Sequence, residues 1–142
     1  MSEHLELSVE DANRRLPLVR SIVRDAIELK ADVLARQSRL TDLRKRHPDL
    51  DDDSPYAEEV LQMEEAVEND EIRIDEFASE LKQIGGELVD SESGLVEFSS
   101  TLGDESIRLS WMYDEAEVAF WRSEQETPAD RKPLTMAGLE AG

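Results

Sequence analysis

The residue types with the most chemistry in them cluster near the C-terminus. Trp111, Glu115, Glu117 and Trp121 fall close together, and Arg131 follows. Two carboxylates beside an arginine and two indoles are the materials of a small-molecule site. Glu115 and Glu117 are also the pair that would hold a hard metal ion. The same residues fit a plainer arrangement, two tryptophans in a core with carboxylates solvating a turn, and the sequence favours that one.

Asp70 is a separate candidate. It is the only polar residue in an otherwise apolar heptad series, and a buried carboxylate is costly unless paired. The preferred expectation is a residue that sets helix register, facing Arg36 or another seam position, with a ligand or proton-transfer role as the alternative.

Other constellations fail on inspection. Asp49, Asp51 and Asp53 have the first three spacings of a calcium loop. Ser54 then stands where glycine is needed and Val60 where the bidentate glutamate belongs. His4 and His47 lie far apart, with no metal-ligand spacing and no defensible Ser-His-Asp set. There is no glycine-rich phosphate loop. The absence of cysteine excludes disulfides, thiolate ligands and a cysteine nucleophile. No cofactor is expected.

Elements that could position these residues follow from periodicity. Ser8-Val-Glu-Asp11 starts a helix with a capping-box-like pattern, after a short alternation over His4–Leu7 that could be a strand. Pro17 predicts a kink or short break near Leu16. Val19, Ile22, Ala26, Leu29, Val33, Leu40 and Leu43 keep three- and four-residue steps, with Arg36 filling one position. His47-Pro48 stops this helix near Lys45. Ser54-Pro55 is expected to cap a second helix, carrying Tyr56, Val60, Met63, Val67, Asp70, Ile74, Phe77, Leu81 and Ile84. Gly85-Gly86 ends it. With a short loop between them, the two helices must pack antiparallel as a coiled-coil hairpin over about 9–85.

After Gly86 the pattern turns to strands. Leu88-Val89 and Leu95–Phe98 flank a turn, Ile107–Tyr113 alternates like a half-buried strand, and Asp114-Glu115 is expected as a two-residue turn into a last strand, Glu117–Trp121. Residues 123–142 are polar and expected to form a flexible tail. The fold class is therefore α+β, with a small antiparallel sheet of three to four strands over about 86–122, in one domain of 142 residues.

Acidic residues outnumber basic ones by 35 to 16, a formal net charge of -19. Nucleic acid and anionic membrane surfaces are disfavoured partners, because both need clustered positive charge. Arginine exceeds lysine and aspartate is plentiful, which fits either a salt-rich cytoplasm or a GC-rich genome. No apolar run is long enough to span a membrane and the N-terminus lacks signal-peptide character, so the expected location is cytoplasmic.

Three stretches carry a family resemblance. They are Leu7-Ser-Val-Glu-Asp-Ala-Asn-Arg-Arg-Leu-Pro-Leu-Val-Arg20, Gly86-Glu-Leu-Val-Asp-Ser-Glu-Ser-Gly-Leu-Val-Glu-Phe98, and Trp111-Met-Tyr-Asp-Glu-Ala-Glu-Val-Ala-Phe-Trp121 followed by Arg131-Lys-Pro-Leu134. In this order, with two long helices between the first and second, the chain resembles the small bacterial proteins of the domain of unknown function 2203. The resemblance covers nearly the whole chain and implies a helical hairpin with a small sheet. It implies no activity. This chain departs from the pattern at Ser110, where relatives often have Cys, at Arg122, where they often have His, and at Asp114, where they tend to have Gly. Glu115, Glu117 and Arg131 keep it.

The functional expectation is a non-enzymatic interaction or scaffold protein that self-associates through its hairpin or takes a protein partner. A two-helix hairpin covers only one stripe of each helix. The alternative is a small-molecule or metal site on the sheet, and a weaker one an enzyme that has lost Cys and His.

Overall fold

The computed structural model describes residues 6–48 and 53–137. His4, the start of the expected His4–Leu7 strand, and residues 49–52 with Asp49 and Asp51 lie outside the described residues.

The protein is α+β, two long helices followed by a five-stranded antiparallel sheet. Helix α1 spans Val9–Arg46 and α2 spans Ala57–Gln83. At 1.5 Å per residue they are about 57 and about 40 Å long. Ser8 caps α1, its hydroxyl accepting from the Asp11 amide at 3.0 Å, with Glu10 and Asp11 in the first turn where the helix dipole favours acid. Pro17 removes one backbone donor, yet α1 runs through it without the expected break. Leu16 and Val19 on either side are buried in the main core, and that packing holds the turn.

Helix α2 starts later than Ser54-Pro55 suggested. Residues 53–56 form a turn in which the Ser54 hydroxyl accepts from the Tyr56 amide, and the helix begins at Ala57. His47 and Tyr56 stack across the hairpin tip, ring centroids 4.1 Å apart.

The apolar series does what its spacing requires. Val19, Ile22, Ala26, Val33, Leu40 and Leu43 of α1 are buried, as are Val67, Phe77 and Leu81 of α2. Arg36 and Asp70, the two polar intruders, meet: Arg36 Nη1 donates to Asp70 Oδ2 at 2.5 Å. The ion pairs Arg39–Glu59 and Arg44–Glu64 lie further toward the tip.

Strands β1 Gly86–Asp90, β2 Leu95–Leu102, β3 Glu105–Trp111, β4 Phe120–Ser123 and β5 Lys132–Pro133 pair in sequence order, each antiparallel to the next. One face turns Val96, Phe98, Ile107, Leu109 and Trp111 toward the helices. The sequence expected three to four strands and a loose tail from 123. Instead β4 runs to Ser123, β5 adds a fifth strand, and Leu134 is buried while its amide donates to the Ala119 carbonyl. At the other end, the Leu7 amide donates to the Ser99 carbonyl at 2.8 Å. This ties the start of the chain to the edge of β2.

The β1–β2 turn depends on Asp90 and Gly94. Asp90 accepts from the Ser93 hydroxyl at 2.7 Å and from the Glu92 and Ser93 amides, and the Ser93 hydroxyl leads in holding its carboxyl below the ordinary value. Gly94 has φ of +72°, and a Cβ there would lie 2.8 Å from both Ile27 Cδ1 and Tyr113 Cβ. Gly103 has a similar φ of +62° with nothing within 4 Å. The two positions therefore separate strain from clash. Gly103→Ala is expected to cost about 1–2 kcal/mol from left-handed backbone alone. Gly94→Ala adds an overpacking cost of about 1–3 kcal/mol. Chemical denaturation of both variants measures the difference.

Candidate functional site

Between β3 and β4 the chain leaves the sheet for residues 112–119. The sequence suggested a tight two-residue turn at Asp114-Glu115 and a strand from Glu117. The connection is longer, and Phe120 is the first residue of β4. A loop of this kind has backbone groups with no strand partner, and buried ones must find side chains.

Glu115 sits at the centre. Its carboxylate accepts the Met112 amide at 2.9 Å, and its own carbonyl accepts Trp111 Nε1 at 3.0 Å. Arg131 closes on it as a fork: Nη1 and Nη2 each donate to one carboxylate oxygen at 2.7 Å, and Nη2 also donates to the Ser110 carbonyl at 3.1 Å. The Arg131 guanidinium lies over the Phe120 ring, 4.1 Å from its centroid. Burial pushes the Glu115 carboxyl up, but the Arg131 fork and the Met112 amide together outweigh it and hold the group below the usual carboxylate value.

Helix α1 grips the loop from the other side. Asn13 accepts the Val118 amide at 2.7 Å through Oδ1 and donates to the Val118 carbonyl at 3.4 Å through Nδ2, as a neighbouring strand would. Arg20 donates to the carbonyls of Tyr113, Glu115 and Ala116, with its guanidinium 5.2 Å from the Trp111 ring centroid.

The five sheet candidates thus divide. Trp111, Glu115 and Arg131 form one bonded cluster. Trp121 pairs with Leu109 and carries Lys132 over its ring at 4.4 Å, and its Nε1 is buried with no partner among the described residues. Glu117 is exposed and makes no bond into the cluster. Glu115 is spent on Arg131 and Met112, so the two glutamates do not form the paired ligands that their spacing suggested. Among the described residues, no group of three or more His, Asp or Glu side chains is placed to hold a metal ion.

A second ionic cluster, which the sequence reading missed, lies on the sheet face away from the helices. Glu97 is only 1% exposed. Arg122 donates to both of its oxygens, at 2.6 and 2.9 Å, and Arg108 Nε donates at 3.3 Å. Arg108 also bonds Glu87 and the Ser99 hydroxyl. The Glu97 bonds lead in raising Arg122 above its ordinary value against burial. Ser110 stands across from Glu97 on β3, fully buried, with Oγ unpartnered among the described residues. The available signal was three alternating charges, Glu97, Arg108 and Arg122, on three strands that register side by side.

Across known proteins, the family described as "Uncharacterized conserved protein (DUF2203)" matches residues 7–134. The chain belongs to this family. No curated protein and no solved structure matches it. The match to DUF2203 spans everything from the Leu7–Ser99 bond to the buried Leu134, including both ionic clusters. Ser110 and Arg122 flank the same buried Glu97. No helix among the described residues is long and apolar enough to cross a membrane.

Two predictions follow from these bonds. The unfolded chain takes up a proton on Glu115 before the folded one does, so the stability from its fork is complete above about pH 4.3. It is lost as pH falls through the lower folded value. Glu115→Gln is expected to cost about 2 kcal/mol at neutral pH, and the gap from the parent should shrink below pH 4 in thermal melts followed by circular dichroism. In the hairpin, a double-mutant cycle of Arg36→Ala with Asp70→Ala should return a coupling of about 0.5–1 kcal/mol, as expected for a half-exposed pair.

Proposed function

We propose that this DUF2203 member is a non-enzymatic interaction protein that self-associates through its helical hairpin. The observation that carries this is an arm with apolar residues left uncovered. The sheet covers the base of the hairpin, and the main core includes α1 only to Leu29 and α2 only from Phe77 onward. Beyond that, each helix has the other as its neighbour. On this stretch Leu34, Leu61 and Ile72 are 39%, 60% and 52% exposed. Leu18 at the base of α1 and Val89 on β1 are exposed as well, so three of the five exposed large apolar side chains among the described residues stand on the arm, and together they offer it apolar surface for association.

The sheet side supports the same reading. Its arginines and carboxylates are bonded to one another and to backbone, which is the work of holding a loop and a face in shape. Glu115 and Arg131 act on each other, and Asp70 acts on Arg36.

Sedimentation equilibrium of the full chain, from micromolar to near-millimolar concentration, tests the proposal. The expected result is a mass above that of one chain, rising with concentration. A single-chain mass throughout the range would overturn it.

A further inference from the structure

Three buried polar atoms have no hydrogen-bond partner among the described residues: Ser110 Oγ, Trp121 Nε1 and Arg131 Nε. Such atoms are rare in folded chains, because each has lost water and gained no partner. Here all three lie where residues 124–137 fold back on the sheet. Arg131 belongs to that segment. Its Nη2 bonds the Ser110 carbonyl, and its guanidinium covers the ring of Phe120, the neighbour of Ser110 on β4. Trp121 pairs with Lys132 of the same segment, whose Nζ stands 4.4 Å from the centre of the indole.

Backbone and apolar contacts attach this segment only thinly. Strand β5 is two residues long, where β2 and β3 have eight and seven. One of the two is Pro133, which has no amide to donate. Among residues 124–135 only Leu134 is buried. The other attachments are polar: the Arg131 fork on Glu115, the Arg122 guanidinium on the Glu126 carbonyl, and the Glu126 carboxylate on the Ser123 amide. Closing the segment therefore makes charged bonds but shuts three polar atoms away from water unbonded. Lifting it breaks the bonds and hydrates those atoms. Regions with few buried apolar contacts are the ones that open without the rest of a fold.

We infer that residues 124–137 form a releasable strap that guards the edge of the sheet. Closed, the strap occupies the outer side of β4 through β5. Open, it leaves Phe120–Ser123 as the last strand, with unpaired backbone groups facing water. Such an edge is a template for pairing with another chain, and the closed strap withholds it. This inference concerns the sheet and is independent of association through the hairpin.

Hydrogen–deuterium exchange of the full chain, read by mass spectrometry at increasing urea below the unfolding transition, tests it. Peptides covering 120–123 and 131–135 should exchange at least about tenfold faster than peptides from β2, and their rates should depend only weakly on urea, because opening the strap exposes little surface. Two variants carry opposite expected signs. Arg131→Gln removes the fork and should speed exchange of both peptides about tenfold or more. Ser110→Ala removes an unpartnered hydroxyl from the closed state and should slow both about fivefold. If both peptides share the rate and the steep urea dependence of β2, the segment opens only with the whole fold and the strap is overturned. If Ser110→Ala fails to slow them, the closed state carries no such cost and the inference falls, even where Arg131→Gln does not fold.

Discussion

The loop from Met112 to Ala119 imposes the constraint on which the arrangement of hairpin and sheet depends. Its backbone groups have no strand partner, and a buried amide or carbonyl left unbonded costs about 1–3 kcal/mol. The chain meets this with side chains from three directions. Asn13 and Arg20, two helical turns apart on α1, bond Val118 and the carbonyls of Tyr113, Glu115 and Ala116. Glu115 bonds the Met112 amide from within the loop, and Arg131 locks Glu115 from the far side of the sheet. Apolar contact alone would let α1 slide on the sheet. These directional bonds fix its height and rotation, and with them the height of everything carried on the hairpin.

The elements whose pattern follows their own period were legible in the sequence. The heptad steps located both helices, and Asp70 opposite Arg36 was readable because a carboxylate in an apolar seam needs a cation. Alternation located β3. What escaped was set by neighbours distant in sequence. Val118 and Phe120 alternate like strand residues, but Val118 gives its backbone groups to Asn13, so the strand starts at Phe120. Residues 123–137 look like a tail by composition. They are held because Arg131 bonds Glu115, Leu134 is buried, and Thr127 with Asp130 forms a reciprocal cap. Glu97 stands between Val96 and Phe98, whose side chains face the core. Alternation, however, cannot tell solvent from a covering layer of guanidinium groups, and here Arg108 and Arg122 supply that layer.

Ser110, Asp114 and Arg122 gain physical meaning from this geometry. Among the described residues, no non-glycine residue has positive φ, so Asp114 sits in its loop without left-handed backbone. Ser110 and Arg122 are linked through Glu97. Arg122 reaches both oxygens of that carboxylate, and a buried carboxylate held by a fork is far less costly than one left alone. An imidazole at 122 has no such fork to offer. Within this chain, then, Arg122 and Glu97 are one unit, and Ser110 is the small residue packed across from it.

The net charge of -19 argues at first against copies of this chain meeting at all, since like-charged molecules repel. That repulsion is long-ranged only at low salt. At physiological ionic strength the screening length is about 8 Å, shorter than the width of one helix. A copy approaching the arm therefore experiences the helix edge nearest to it more than the total charge. The hairpin segregates its charge between the two helices, basic on α1 and acidic on α2, and three arginines of the arm are already engaged with α2. These half-exposed pairs add little stability individually. Their larger effect is to orient the hairpin, leaving Glu65, Glu68 and Glu71 of α2 exposed. Distribution, not sum, decides what such a surface attracts.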